Sequence, residues 1–250
     1  MGSPLMSLPI VSAFRKSVNI LRPSGPASVT TWDVAILLNF IRSMGSDDTS
    51  PLPQLQLKVI LLLRLDLLSR SSDLIKLFRS EVEWTESFFR VRFLRPKEWR
   101  AEGKNSVHEW SNWVSVFKVQ DHRCCLYRTL KTWFTRTKDR VQWVQVEGVR
   151  YQPVLCSTTG KQFRALSVRE VSSIAAMGML AAGIPKNFKP QSIRGAVASA
   201  LVDYGLPMEQ ILSQGRWADK SMMIKYYYRK IPRKKGKVSS NLQETLRSTG

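Results

Sequence analysis

Gln191-Ser192-Ile193-Arg194-Gly195-Ala196, then Gly205, Gly215-Arg216-Trp217 and Tyr226-Tyr227-Tyr228-Arg229, decide how this 250-residue chain reads. Ile193, Val197, Ala200, Leu201 and Tyr204 recur at helical spacing, and Gly205 supplies the stop. Pro207 stands where a new helix starts, ahead of residues 208–213, and a last helix opens near Ser221. The stretch thus predicts short helices that carry an arginine in a first helical turn, then a tryptophan, then a run of tyrosines. A first turn is also where the helix dipole favours an anion.

Upstream, Ser167 and Glu170 form a capping box for a helix running to Gly183. Leu126, Leu130, Trp133 and Phe134 make the apolar stripe of another. Phe89, Val91 and Phe93 alternate with Arg90 and Arg92, the pattern of a half-buried strand. A polar loop over residues 96–105 leads to a second strand near 113–119, giving a hairpin or small antiparallel sheet. Leu57, Leu61, Leu65 and Leu68 form one stripe of an earlier helix, which ends at Ser69-Arg70-Ser71-Ser72-Asp73 before helical spacing resumes over 74–78. Val34, Leu37, Leu38 and Ile41 share a face of the first helix, with Thr31 as its cap and Gly45 as its stop. The expected fold is mainly α with a small antiparallel β-sheet (α+β).

The chain carries 39 Lys+Arg against 19 Asp+Glu, a net charge of +20. Such an excess predicts a polyanionic partner, since basic surface displaces counterions from a phosphate backbone. Charge alone does not separate DNA from RNA or an anionic membrane. Three cysteines, Cys124, Cys125 and Cys156, suit a reducing compartment without a disulfide framework. With two histidines and no CxxC spacing, neither a metal site nor a cofactor is expected. The most apolar run, 59–68, is broken by Arg64 and Asp66 and is too short to span a bilayer. No membrane segment or signal peptide is expected, and the reading is of a soluble, intracellular protein.

The C-terminal stretch resembles the signature of the tyrosine recombinase (phage integrase) family. In that family a His-x-x-Arg opens a helix, a His or Trp follows a glycine-containing turn, and a tyrosine lies roughly ten residues on. Here Trp217 follows Arg194 by 23 residues, an interval typical of the family. Arg70-Ser71-Ser72-Asp73-Leu74 resembles its first arginine motif, and Lys97, after the first strand, stands where its lysine lies. The Arg-Gly-Ala start, the tryptophan and the ending at Arg229 are most similar to recombinases of DIRS-type retrotransposons. The resemblance implies the recombinase/integrase catalytic-domain fold over residues 30–230. It makes 1–29 a linker or the remnant of an N-terminal core-binding domain, and 231–250 a basic tail. It also implies double-stranded DNA as partner, a homo-oligomer (a tetrameric synapse on DNA), no small-molecule substrate and, for a eukaryotic host, the nucleus.

The chemistry explains these residue types. Attack on a phosphodiester spreads negative charge over its non-bridging oxygens, and fixed cationic donors aimed there lower the barrier. Arg70 and Arg194 are expected to form that clamp, because guanidinium forks match phosphate oxygens. Lys97 would protonate the leaving 5′-hydroxyl. Trp217 can donate one N–H but moves no proton, and Asp73 would hold Arg70 or its turn in place. Tyr227 is taken as nucleophile ahead of Tyr226, and one residue turns a helical side chain by about 100°, so one of them at most faces the phosphate. Gln191 occupies the place of the family's histidine and cannot accept and return a proton near neutral pH. Losing such a group typically slows a reaction on the order of 10²–10⁴-fold. The alternatives are a catalytically impaired, transposon-derived DNA-binding protein, or a basic RNA-binding protein with chance motif agreement.

Overall fold

The computed structural model describes residues 30–93, 113–217 and 220–229. The chain divides into two units, Met1–Thr30 and Thr31–Gly250, and all the elements below belong to the second. The expected linker or remnant over 1–29, the basic tail over 231–250 and the loop bearing Lys97 lie outside the described residues.

Helix α1 (Val34–Ser43) is capped by Asp33, whose carboxylate accepts the Ala35 N–H at 2.9 Å. Thr31 does not cap it. Trp32, 5% exposed, plants its indole N–H on Ser192 Oγ at 2.9 Å, and Thr31 is drawn inside beside it, so the helix starts later. Its end at Met44 is an extended residue, so Gly45 is not the stop. Helix α2 (Leu52–Asp66) starts at Pro51, with Pro53 in its first turn, where a missing N–H costs nothing. A single stripe was expected, but Leu55, Val59, Ile60, Leu61, Leu62, Leu63 and Leu65 are all buried. With Gln56, Lys58 and Arg64 buried as well, the helix is enclosed around its circumference, and α2 packs against α4, α5 and α6, introduced below.

Helix α3 (Ser71–Leu74) sits earlier than the 74–78 segment that the spacing suggested. Asp73 starts it by accepting the Arg70 amide at 3.1 Å, and Phe78 is already extended, bridged to Pro153. Strands β1 (Val82–Trp84), β2 (Phe88–Arg92) and β3 (Trp113–Phe117) form an antiparallel sheet in that order, with Val91 opposite Val82 and Val114. Phe89, Val91 and Phe93 face inward, as their alternation predicts. Strand β1 went unread because three residues carry too little alternation to detect.

Helix α4 (Leu126–Thr137) buries Leu126, Leu130 and Trp133 of the predicted stripe and leaves Phe134 half-buried. The hairpin of β4 (Val144–Val146) and β5 (Val149–Tyr151) was also unread. Its two-residue turn, Glu147-Gly148, has φ of 52° and 83°, the left-handed pair that suits strand twist. The capping box of Ser167 and Glu170 opens α5 (Val168–Ala181) as read. A Cβ on Gly178 would come within 2.8 Å of Leu57 Cδ1, so the bare glycine sets how closely α5 approaches α2. Helices α6 (Ser192–Asp203), α7 (Met208–Gly215) and α8 (Lys220–Tyr226) complete a fold that is mainly α with small antiparallel sheets, as expected. Among the described residues, no helix is long and apolar enough to cross a membrane.

Candidate active site

The turn after α2 carries Arg70. Leu68 holds a left-handed φ of 46°, which a branched residue adopts only where its surroundings hold it. Three successive carbonyls here accept from side chains of α6 and the end of α7. Gln214 Nε2 reaches the Asp66 carbonyl, Arg216 Nη1 the Leu67 carbonyl at 3.4 Å, and Arg194 Nη1 the Leu68 carbonyl at 2.7 Å. A helix C-terminus exposes carbonyls that point outward with a negative dipole, so cationic donors suit it.

Asp73 is the buried acid of this turn, 4% exposed. Besides the Arg70 amide, its Oδ2 lies 3.9 Å from Arg70 Nη1 and 4.0 Å from Arg216 Nη2. Arg64, 2% exposed, donates to Ser71 Oγ and, at 3.4 Å, to the Pro190 carbonyl. Burial pushes its guanidinium down to about 10, opposed by the Asp73 charge. One carboxylate thus faces three arginines.

Arg194 lies at the third position of α6 and is 1% exposed. Its Nη2 donates to the Gly215 carbonyl at 2.6 Å, alongside the bond to Leu68. Its Cζ stands 4.1 Å from the Trp217 ring centroid and 5.0 Å from that of Tyr227, and those two rings are 5.0 Å apart. Arg194 therefore supplies charge and rigidity beneath two aromatic rings, with both Nη atoms already on carbonyls. The Trp217 indole N–H is buried and has no partner among the described residues, an available donor of the kind a phosphate oxygen would satisfy.

The hydroxyl of Tyr227 lies 3.3 Å from Arg70 Nη2, and its backbone passes so close to α6 that a Cβ on Gly195 would sit 3.1 Å from its carbonyl oxygen. Tyr226 points away, 53% exposed. Tyr228 donates to Asp203 at 3.4 Å. The structure therefore brings Arg70, Asp73, Arg194, Trp217 and Tyr227 together and leaves Tyr226 outside. Gln191 is exposed at the start of α6 and makes no capping bond. Lys97 lies outside the described residues, in the connection between β2 and β3. Sequence reasoning missed Arg64, Arg216 and Gly215 as parts of this cluster. Arg64 had a visible signal, a lone cation in an apolar run, and Arg216 stood inside the Gly-Arg-Trp motif.

No family model matches the chain, and no curated protein matches it in sequence. Solved structures do. The Tn1549 transposon integrase in complex with circular intermediate DNA aligns with a TM-score of 0.58 at 10% identity, over 96% of this chain and 76% of that one. The XerH site-specific recombinase in its post-cleavage complex with a palindromic difH substrate aligns at 0.57 and 12% identity, over 82% of this chain and 51% of that one. A λ integrase dimer bound to a COC′ core site aligns at 0.52 and 14% identity, over 92% and 74%. This chain spans about half the length of XerH. The neighbours are tyrosine recombinases and integrases, and at these identities what the chain shares with them is the fold of their catalytic domain.

Proposed function

We propose that this protein cuts and rejoins DNA strands through a phosphotyrosyl link made by Tyr227. The observation that carries this reading is the Tyr227 hydroxyl 3.3 Å from Arg70, its ring against Trp217 and over Arg194, on the fold of the recombinases. The Tyr227 oxygen forms a bond to the scissile phosphorus and gives up its proton to solvent as the bond to the 5′-oxygen breaks, and Lys97 protonates the departing 5′-oxygen. Developing charge on the phosphate is met by Arg70, by the Trp217 N–H and by the field of Arg194. A 5′-hydroxyl from a partner strand then attacks the link and releases the tyrosine. The phosphotyrosyl bond conserves the energy of the broken one, so the scheme calls for no cofactor.

The +20 charge supports double-stranded DNA as the partner, and exchange between two sites calls for a homo-oligomer, a tetramer in the simplest scheme. The Arg194-Gly195-Ala196 start and the ending at Tyr227-Tyr228-Arg229 support descent from a DIRS-like mobile element, and with it a nuclear location. The test is a suicide substrate: nicked or phosphorothiolate DNA from a library flanking the gene, scored for an SDS-resistant adduct. The expected result is an adduct kept in Tyr226→Phe and lost in Tyr227→Phe; an adduct that survives Tyr227→Phe overturns the assignment.

A second reading, a DNA-binding protein that has lost its chemistry, is favoured by Gln191, which leaves the site without the histidine its motif calls for. It predicts bound DNA and no adduct; an adduct restored by Gln191→His would mark a recombinase that has lost its chemistry, and none in either form a DNA-binding module.

A further inference from the structure

We propose that Arg216 is a positioning residue, one that locks the turn carrying Arg70 to the end of β2; this rests on the cleavage reading above. Arg216 adopts a left-handed φ of 53°, a conformation that costs a non-glycine residue about 1 kcal/mol, so contacts elsewhere hold it there. Its side chain is 13% exposed and turned inward. Nη2 donates to Ser69 Oγ at 2.9 Å and Nη1 to the Leu67 carbonyl at 3.4 Å, bracketing the strained Leu68. Nη2 also stands 4.0 Å from Asp73, the acid that accepts the Arg70 amide. The guanidinium plane covers Phe93, with Cζ 3.9 Å from the ring centroid. Phe93 closes β2 and opens the connection that holds Lys97, four residues on.

Gln214 and Arg194 fasten the neighbouring carbonyls of Asp66 and Leu68. Arg216 differs from both in reaching the Arg70 turn and the strand end at once. A planar, forked cation is required for that: one face packs on an aromatic ring while the edge donates in two directions, which an ammonium cannot do. Arg70 and the end of β2 therefore hold their spacing through this side chain, and its loss lets them drift apart without removing any group that touches substrate.

The test uses the full chain and has two arms. Hydrogen–deuterium exchange on the DNA-free protein needs no catalysis. Arg216→Met and Arg216→Lys should each speed exchange over residues 67–73 by about tenfold or more while α4, away from the turn, is unchanged. In the second arm, Arg216→Lys at saturating DNA should lower the rate of adduct formation on the order of 10²-fold with DNA affinity retained. Ser69→Ala should do the same more weakly, and its effect should not add to that of Arg216→Met. Unchanged exchange over 67–73 overturns the proposal. A fallen adduct rate with unchanged exchange also overturns it, and places Arg216 on the phosphate itself. Absence of any adduct in the wild type overturns the cleavage reading instead, and the exchange arm still decides whether Arg216 fixes the turn.

Discussion

A Cβ placed on Gly215 would lie 1.8 Å from Cζ3 of Trp217 and 2.1 Å from its Cε3. The indole rests on the last turn of α7 in space that any larger residue needs, and the same ring lies against Arg194 and Tyr227. Gly215→Ala must therefore move the indole. Forcing bulk into a packed site costs about 1–3 kcal/mol, and urea midpoints should fall accordingly. Adduct formation should suffer far more, because the displaced ring takes its N–H with it. A variant with wild-type stability and wild-type adduct yield would show that the ring has another seat.

Tyr227 meets Arg70 within one chain. Mixing Tyr227→Phe with Arg70→Ala should accordingly produce no more adduct than either variant alone. Recovery of the adduct in the mixture would mean that a neighbouring copy delivers the tyrosine, and that the contact seen within the chain is not the reactive one.

Much of this arrangement was legible in the sequence because it lies in short, periodic stretches. The Ser167–Glu170 box, the α6 stripe and the alternation around Val91 each follow from a few neighbouring side chains. The register of the tyrosines was not legible in that way. Tyr226 and Tyr227 differ by one position, and what separates them is the close passage of the Tyr227 backbone along Gly195, a contact between distant segments. The same holds for Arg194. Its place in a first helical turn predicted an open fork for phosphate, whereas the structure puts both Nη atoms on carbonyls of Leu68 and Gly215. Spacing along one helix cannot show which carbonyls another turn leaves unsatisfied. Strand β1 and the β4–β5 hairpin escaped because three residues are too few to display a period.

Asp73 faces Arg70 and Arg216 at 3.9 and 4.0 Å and opposes the charge of Arg64. Removing it leaves buried cations without their counter-charge, a loss that typically costs about 3–5 kcal/mol. Asp73→Ala should approach that range. Asp73→Asn should lose less, because its amide oxygen still accepts the Arg70 amide that starts α3. Chemical denaturation of both variants checks the order; equal losses would mean that the capping bond, not the charge, is irrelevant to the turn's stability.

Asp66 closes α2, and burial pushes its carboxyl from the ordinary 3.8 up to about 7. Between those values the folded protein keeps a proton that the unfolded chain has released. Stability contributed at this site therefore falls as pH rises from about 4 to about 7 and levels off above. Asp66→Asn removes the ionisable group while keeping the carbonyl that accepts from Gln214. Relative to wild type, the variant should gain nothing at pH 4 and become more stable at pH 8 by on the order of 1–4 kcal/mol. Comparing the two proteins at each pH cancels the titration of every other group. Urea midpoints that stay parallel from pH 4 to pH 8 would show that the Asp66 carboxyl ionises in the fold as readily as in the unfolded chain.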